Sequence, residues 1–346
     1  MIETVDNESR SVIPNLPKMS WDSGEMCEFA SAFTRAARCL GVNADYESVT
    51  GMSGAAFRFV LDESIWNPGN YWIQNFTADP VEPVVAVCRS YGLQHQTMTR
   101  STFEQDRNAI CSSITKGIPV IAFGVVGPSD AVLITGFDND GDVLLGWSTF
   151  QDIPDDHNEP HDRTGYFRKS EWHGNLRGYL LLTEETQPVN RREIALDAIT
   201  RIVRIIETPQ LPGRIAGSRA LAAWMGILTD VTNFEADPGT LAWRYLCFST
   251  NTTMLLDQKC APLFLDSLAS DLPEYEKAIQ SASHLYRLNR ETIQKAHATI
   301  SDNFSSEAQQ NFRSSSVRAQ YVDLIRDVYE RTLQASVYLK TCVAGD

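Results

Sequence analysis

The stretch GIPVIAFGVVGPSDAVLITGFDNDGDVLLGW, residues 117–147, decides how the rest of the chain is read. Its apolar residues come in short β-rich runs, 117–126, 131–137 and 142–150, and the DNDGD at 138–142 is a tight-turn sequence that joins the last two as a hairpin. A further strand is expected in LRGYLLLTEE, 176–185. Upstream the period is helical. A helix over 22–41 is predicted with Asp22 as its N-cap and Glu25 three residues on, a second run over 80–93 ends at Gly92, and a third over 101–116 opens with a Ser or Thr ahead of Glu104. Helices followed by an antiparallel sheet make this region α+β.

Beyond TQPVN at 186–190, the expected linker, only helical patterns remain: roughly 190–207, 214–230, 236–257, 272–299 and 313–340, broken at PQLPG, EADPG and SDLPE. The expected organisation is therefore an α+β domain over 1–186 and an all-α bundle over 187–346. The 346 residues suffice for two such cores.

The charge is lopsided. Residues 1–188 carry 13 Lys/Arg against 26 Asp/Glu, whereas 189–346 carry 17 against 18. Phosphate neutralisation needs clustered cations, so a nucleic-acid partner is not expected. An acidic half suits a cationic small molecule, or is simply a solvated surface. No run approaches the roughly 18 apolar residues of a membrane span, and MIETVDNESR at the start has no apolar leader core, so no membrane partner is expected and a cytoplasmic location is. Seven cysteines without a CxxC pair suggest neither a disulfide framework nor a structural zinc, and fit a reducing compartment.

Cys27, in WDSGEMCEFASAFTRAARCLG (21–41), falls in the opening turns of the predicted first helix, whose buried stripe is Phe29, Ala30, Phe33, Ala36, Ala37 and Leu40. The positive end of a buried helix stabilises a thiolate, the condition a nucleophilic cysteine needs; a small core residue would occupy the same place. The glycine-rich GMSGAAFRF, 51–59, permits close backbone approach to a ligand or to a helix, which makes Ser53, Gly54 and Arg58 candidate substrate-binding residues. Arg58 could pair with a ligand carboxylate, with Asp130, or within a structural ion pair. Trp66, Tyr71, Trp72 and Trp147 are candidates for an aromatic pocket wall or for core packing.

A cysteine opening a helix, GMSGAAF about 25 residues on, and then the GIPVIAF…AVLITGFDNDGDVLL block together resemble the papain-like, C39-type peptidase fold. The resemblance is closer to the domain family typified by the N-terminal part of butirosin-biosynthesis protein H, and it covers about residues 20–185. It implies a papain-like fold and an acyltransferase of secondary metabolism, moving an aminoacyl group from a carrier protein to an amine. Under it, Cys27 matches the nucleophile. The family's histidine stands six residues before the glycine of its xVVITGYD strand, and counting back from Gly136 places Asp130 there. The residue that orients this histidine would fall at Trp147 or Ser148, and the glutamine ahead of the cysteine has no counterpart in KMSWDSGEMC.

Aspartate for histidine changes the chemistry, because a carboxylate with a pKa near 4 is a poor base for a thiol near 8.5. Desolvation could raise its affinity for protons. The loop QDIPDDHNEPHDRTGYF, 151–167, offers His157 and His161, and His173 follows, as alternative bases; Asp155, Asp156, Glu159 and Asp162 beside them are read as a solvated acidic loop rather than a metal site. No cofactor or metal is expected. Two function classes stand: cysteine-dependent acyl transfer (aminoacyltransferase or amidase-like) on a small amine-bearing substrate, with Cys27 and Asp130 catalytic and Ser53, Gly54, Arg58, Trp66, Trp72, Trp147 and Ser148 binding; or a catalytically inactive papain-like protein that binds a small molecule or peptide. An acyl carrier protein as donor and a homodimer remain open at this stage.

Overall fold

The computed structural model describes residues 9–152, 161–300 and 305–343. The chain divides into two compact units, residues 1–49 with 85–189, and residues 50–84 with 190–346. The segment 50–84, assigned by the sequence to the α+β domain, therefore belongs with the helices.

In chain order the elements are β1 (Ser11–Val12), α1 (Glu28–Cys39), α2 (Tyr46–Ser53), β2 (Val60–Asp62), α3 (Glu82–Ser90), β3 (Leu93–Thr99), α4 (Phe103–Thr115), β4 (Val120–Phe123), β5 (Ala131–Asp138), β6 (Val143–Trp147), β7 (Phe167–Ser170) and β8 (Gly178–Thr186). There follow α5 (Arg191–Glu207), β9 (Gln210–Leu211), β10 (Arg214–Ala216), α6 (Gly217–Thr229), α7 (Pro238–Leu256), α8 (Ala261–Asp271), α9 (Glu276–Ile300), α10 (Ser306–Arg313) and α11 (Ser315–Val343).

The first unit is built on an antiparallel sheet of order β3-β8-β4-β5-β6-β7. The hairpin predicted at DNDGD joins β5 to β6, with Asp138 opposite Val143 and left-handed backbone at Asn139, Asp140 and Gly141. β4 pairs with β5 only from Ala131 to Ile134; β1 takes up the same edge further on, Val12 opposite Gly136 and Ser11 opposite Phe137. Gly136 permits this, since a Cβ there would stand 2.8 Å from the Ser11 carbonyl oxygen. All eight residues of β5 are buried, as a strand covered on both faces requires. Ile110 and Ile114 of α4 cluster with Val120, Ala122, Val132, Ile134 and Tyr179 on one face. Alternation along the strands turns Ile121, Phe123, Ala131 and Leu133 to the other face, against which α1 packs.

The predicted helix over 22–41 is two pieces. Residues 21–23 form a single 3₁₀ turn capped by Ser20 and closed by Gly24 in the left-handed region (φ 79°), so Asp22 does not cap α1; the helix starts at Glu28 with Cys27 as its N-cap. Every residue from Glu28 to Ala37 is buried, which makes α1 a core helix rather than an amphipathic surface one. At α4, Thr102 is the N-cap and accepts from the Gln105 N–H, so the residue three on is Gln105 rather than Glu104.

The second unit pairs β2 with β10 and β10 with β9, and packs α11 against α5, α6 and α9. It contains all five expected helical runs and two more helices, α8 and α10. Its partner strands lie far apart in sequence: Val60 opposes Ala216 and Asp62 opposes Arg214. No helix among the described residues is long and apolar enough to cross a membrane.

Candidate functional site

Cys27 has extended backbone (φ −97°, ψ 103°), as an N-cap does, and its carbonyl already accepts the first helical bond, from the Ser31 N–H at 3.0 Å. The residue is 2 % exposed. Its own N–H donates to the Tyr46 hydroxyl at 2.8 Å. That N–H, one of the donors a helix leaves without an intrahelical partner at its start, is thus satisfied by the tyrosine oxygen.

Glu28 follows directly, at the first helical position, and is 2 % exposed. Its Oε1 accepts from the Trp21 ring N–H at 2.9 Å. Asp130, at the head of β5, is 3 % exposed, and its negative charge acts on the Glu28 carboxyl. Asp130 Oδ1 also accepts from the Ala131 N–H at 2.8 Å, and the Asp130 backbone is fixed by bonds to Pro128 and Gly124. Burial, reinforced by the negative charge of Asp130, holds the Glu28 carboxyl well above the usual carboxylate range, while the Trp21 N–H works the other way. Two buried acids thus influence one another electrostatically, one of them the first residue of the helix that Cys27 caps.

The remaining sequence candidates occupy two places. In the first unit, Trp147 donates its ring N–H to the Leu16 carbonyl at 2.9 Å and packs edge-on to Tyr166, while Ser148 is 1 % exposed and bonded within a turn to Phe150 and Gln151. Ser53, Gly54, Arg58, Trp66 and Trp72 belong to the second unit. There Ser53 bonds the Thr50 carbonyl, and Gly54 (φ 90°) is pressed against Ile205, where a Cβ would fall 2.4 Å from a methyl carbon. Arg58 is paired with Asp257 at 3.0 Å, 1 % and 0 % exposed, so of its three expected roles it fills the structural one. Trp66 packs against Trp224, and Trp72 lies over Gly69.

The described candidate histidines, His173 and His161, are engaged by other acids. His173 Nε2 lies 2.9 Å from the buried Asp106 of α4 and its ring packs on Phe103 and Trp172, on the α4 face of the sheet rather than the α1 face. His161 stands 3.6 Å from Asp152 and borders a groove of about 600 Å³ whose Arg10 and Arg168 are tied to Asp138. His157, with Asp155, Asp156 and Glu159, lies outside the described residues. Among the described residues no group of three His, Cys, Asp or Glu side chains is placed to hold a metal ion. No disulfide joins any of the seven cysteines; burial pushes Cys39 and Cys111 up to about 11, and Cys88 and Cys247 up to about 12.

Sequence reasoning missed three residues here: Glu28, Trp21 and Tyr46. Glu28 alone carried a signal, an acid immediately after the candidate nucleophile. No family model matches the chain, and no curated protein matches it either.

Proposed function

We infer that the first unit is a papain-like domain of the butirosin-H type and catalyses cysteine-dependent acyl transfer to a small amine. The observation that carries this reading is the buried Glu28–Asp130 acid pair at the N-terminus of the helix capped by Cys27. Burying two carboxyl groups together is costly, and such arrangements concentrate where proton transfer is needed. In the reaction, the Cys27 thiolate adds to the donor carbonyl, a C–S bond forms, and the leaving group departs with the proton Cys27 gave up. The acceptor amine then adds to the thioester, the C–N bond forms, the C–S bond breaks, and the ammonium proton returns to the sulfur. A carrier-protein thioester as donor, a cytoplasmic setting and a homodimer belong to this proposal, not to the geometry.

The second reading, a non-catalytic binder, draws on the 2 % exposure of Cys27. One experiment separates them. With p-nitrophenyl acetate as acyl probe, the enzyme releases a burst of p-nitrophenolate, mass spectrometry places the acetyl group on Cys27, a primary amine such as ethanolamine accelerates its removal, and Cys27→Ala abolishes the burst. Acetylation of Cys27 only after unfolding in urea overturns the enzymatic reading in favour of the binder.

A further inference from the structure

We propose that the groove between β1 and residues 161–168 is a binding site for a small phosphate monoester, whose phosphate is held by Arg10, Arg163 and Arg168. The inference does not involve Cys27 and stands apart from the acyl-transfer reading.

The groove has a volume of about 600 Å³, the size of a small-molecule pocket. It is lined by Arg10, Val12 and Pro14 from the stretch that holds β1, by residues 161–164, and by Arg168 of β7, all of them in the first unit. Residues 1–188 are strongly acidic, with 13 Lys/Arg against 26 Asp/Glu, yet three of those 13 cations line this one groove. Cations gathered in so acidic a setting point to an anion.

The acids paired with these arginines are the more deeply buried partners. Arg10 Nη1 donates to both oxygens of Asp138 at 2.7 Å, its Nη2 donates to Asp162 at 2.6 Å, and Arg168 Nη1 donates to Asp138. The Arg10 and Arg168 side chains are 32 % and 30 % exposed, against 12 % for Asp138 and 3 % for Asp162. Burial works against ionising Asp162, but the Thr164 hydroxyl and N–H and the Arg10 guanidinium outweigh it and hold the carboxyl below its usual range. A guanidinium carries five N–H groups. The bonds to Asp138 and Asp162 use three of them on Arg10, and the bond to Asp138 uses one on Arg168. Each side chain therefore keeps donors for a ligand while the acids fix its orientation. Arg163, which is exposed, brings a third guanidinium, and three cations against two carboxylates leave one positive charge in excess.

The number of cations selects the ligand. A carboxylate presents two oxygens in one plane, and a single guanidinium satisfies both. A phosphate monoester has three terminal oxygens and close to two negative charges at pH 7, which match three guanidiniums contributed by three stretches of chain. Inorganic phosphate would fill little of the groove, and Val12 and Pro14 offer apolar surface to the carbon part of an ester.

The test is calorimetric titration of the full chain at pH 7 with phenyl phosphate as the probe, and with inorganic phosphate and benzoate in separate runs. Phenyl phosphate should bind one to one and more tightly than either of the others. Arg163→Gln and Arg168→Gln should each weaken it by about 10-fold or more, as loss of a hydrogen bond to a charged group does. Arg177→Gln, at an exposed arginine of the same unit that does not line the groove, should leave it unchanged. Arg163 is exposed, so its variant reads the groove even if Arg168→Gln, which takes a donor from Asp138, fails to fold. Saturable binding that no folded groove variant weakens overturns the inference, as does the absence of saturable binding at millimolar phenyl phosphate. Benzoate binding as tightly as phenyl phosphate overturns the phosphate assignment, and inorganic phosphate doing so overturns the ester.

Discussion

In each unit one pair of buried ionisable side chains invites comparison, Glu28 with Asp130 in the first and Arg58 with Asp257 in the second, and the two pairs are opposites. In the second, Arg58 meets Asp257 at 3.0 Å, and the guanidinium further donates to the carbonyls of Ala55 (2.9 Å) and Tyr71 (2.8 Å) and lies over the Phe76 ring. Charge is cancelled, and the group is held by backbone atoms of the segment 50–84. In the first, Glu28 and Asp130 are of like sign, and burial reinforced by the Asp130 charge favours the protonated form of Glu28. A compensated buried pair fastens pieces of chain together. A like-charged one raises the affinity of its members for a proton, and Glu28 directly follows the cysteine that caps α1.

The difference can be broken first on the structural side. Removing one partner from a compensated pair strands the other in the interior, so Asp257→Ala should cost about 3–5 kcal/mol in urea unfolding. The double variant Arg58→Met, Asp257→Leu, which removes both charges at similar volume, should recover most of that loss. A single variant costing no more than a surface substitution would show that the pair does not hold residues 50–84 in the unit.

The acid pair predicts a different signature, a dependence on pH rather than a fixed cost. Glu28 is raised above its unfolded value, so the folded state binds the proton more tightly than the unfolded chain does. Its contribution is fully present below the unfolded carboxylate range and is lost as pH rises through the folded value. Stability should therefore fall with rising pH across that window, by at most about 1.4 kcal/mol per pH unit for one proton. Glu28→Gln should flatten the fall, and urea titrations at several pH values read both slopes. A wild type whose stability rises over that window would show that Glu28 is ionised on folding.

The same contrast explains what was legible in the sequence. The change of period in 117–147 gave the hairpin, the buried central strand and the α+β class, because binary patterning and turn residues act locally. Cys27 was legible as a helix-opening residue, although the cap lies at Cys27 rather than Asp22 because Gly24 turns the chain left-handed before it. Residues 50–84 were misassigned because what binds them, β2 on β10 and Arg58 on Asp257, is contributed from beyond residue 189. Glu28 escaped for a subtler reason. An acid in a first helical turn is what the helix dipole favours anyway, and nothing local distinguishes that acid from one that feels the charge of Asp130, about a hundred residues on.

The smallest expected effect is the most discriminating one. The Trp21 ring N–H reaches Glu28 at 2.9 Å and supports its ionised form, while the ring itself packs edge-on against Phe150 at 4.8 Å between centroids. Trp21→Phe keeps an aromatic ring for that contact and deletes the donor. Glu28 should then be pushed further up, so that the loss of stability with rising pH continues to higher pH than in wild type. Below the window, where Glu28 is protonated, the substitution removes a neutral hydrogen bond and should cost about 1 kcal/mol; above it, where the lost donor had served a carboxylate, about 2 kcal/mol. Equal costs on both sides would mean that Trp21 bears on packing alone. A cost that grows with pH ties the indole to the proton on Glu28, and does so without any assay of catalysis.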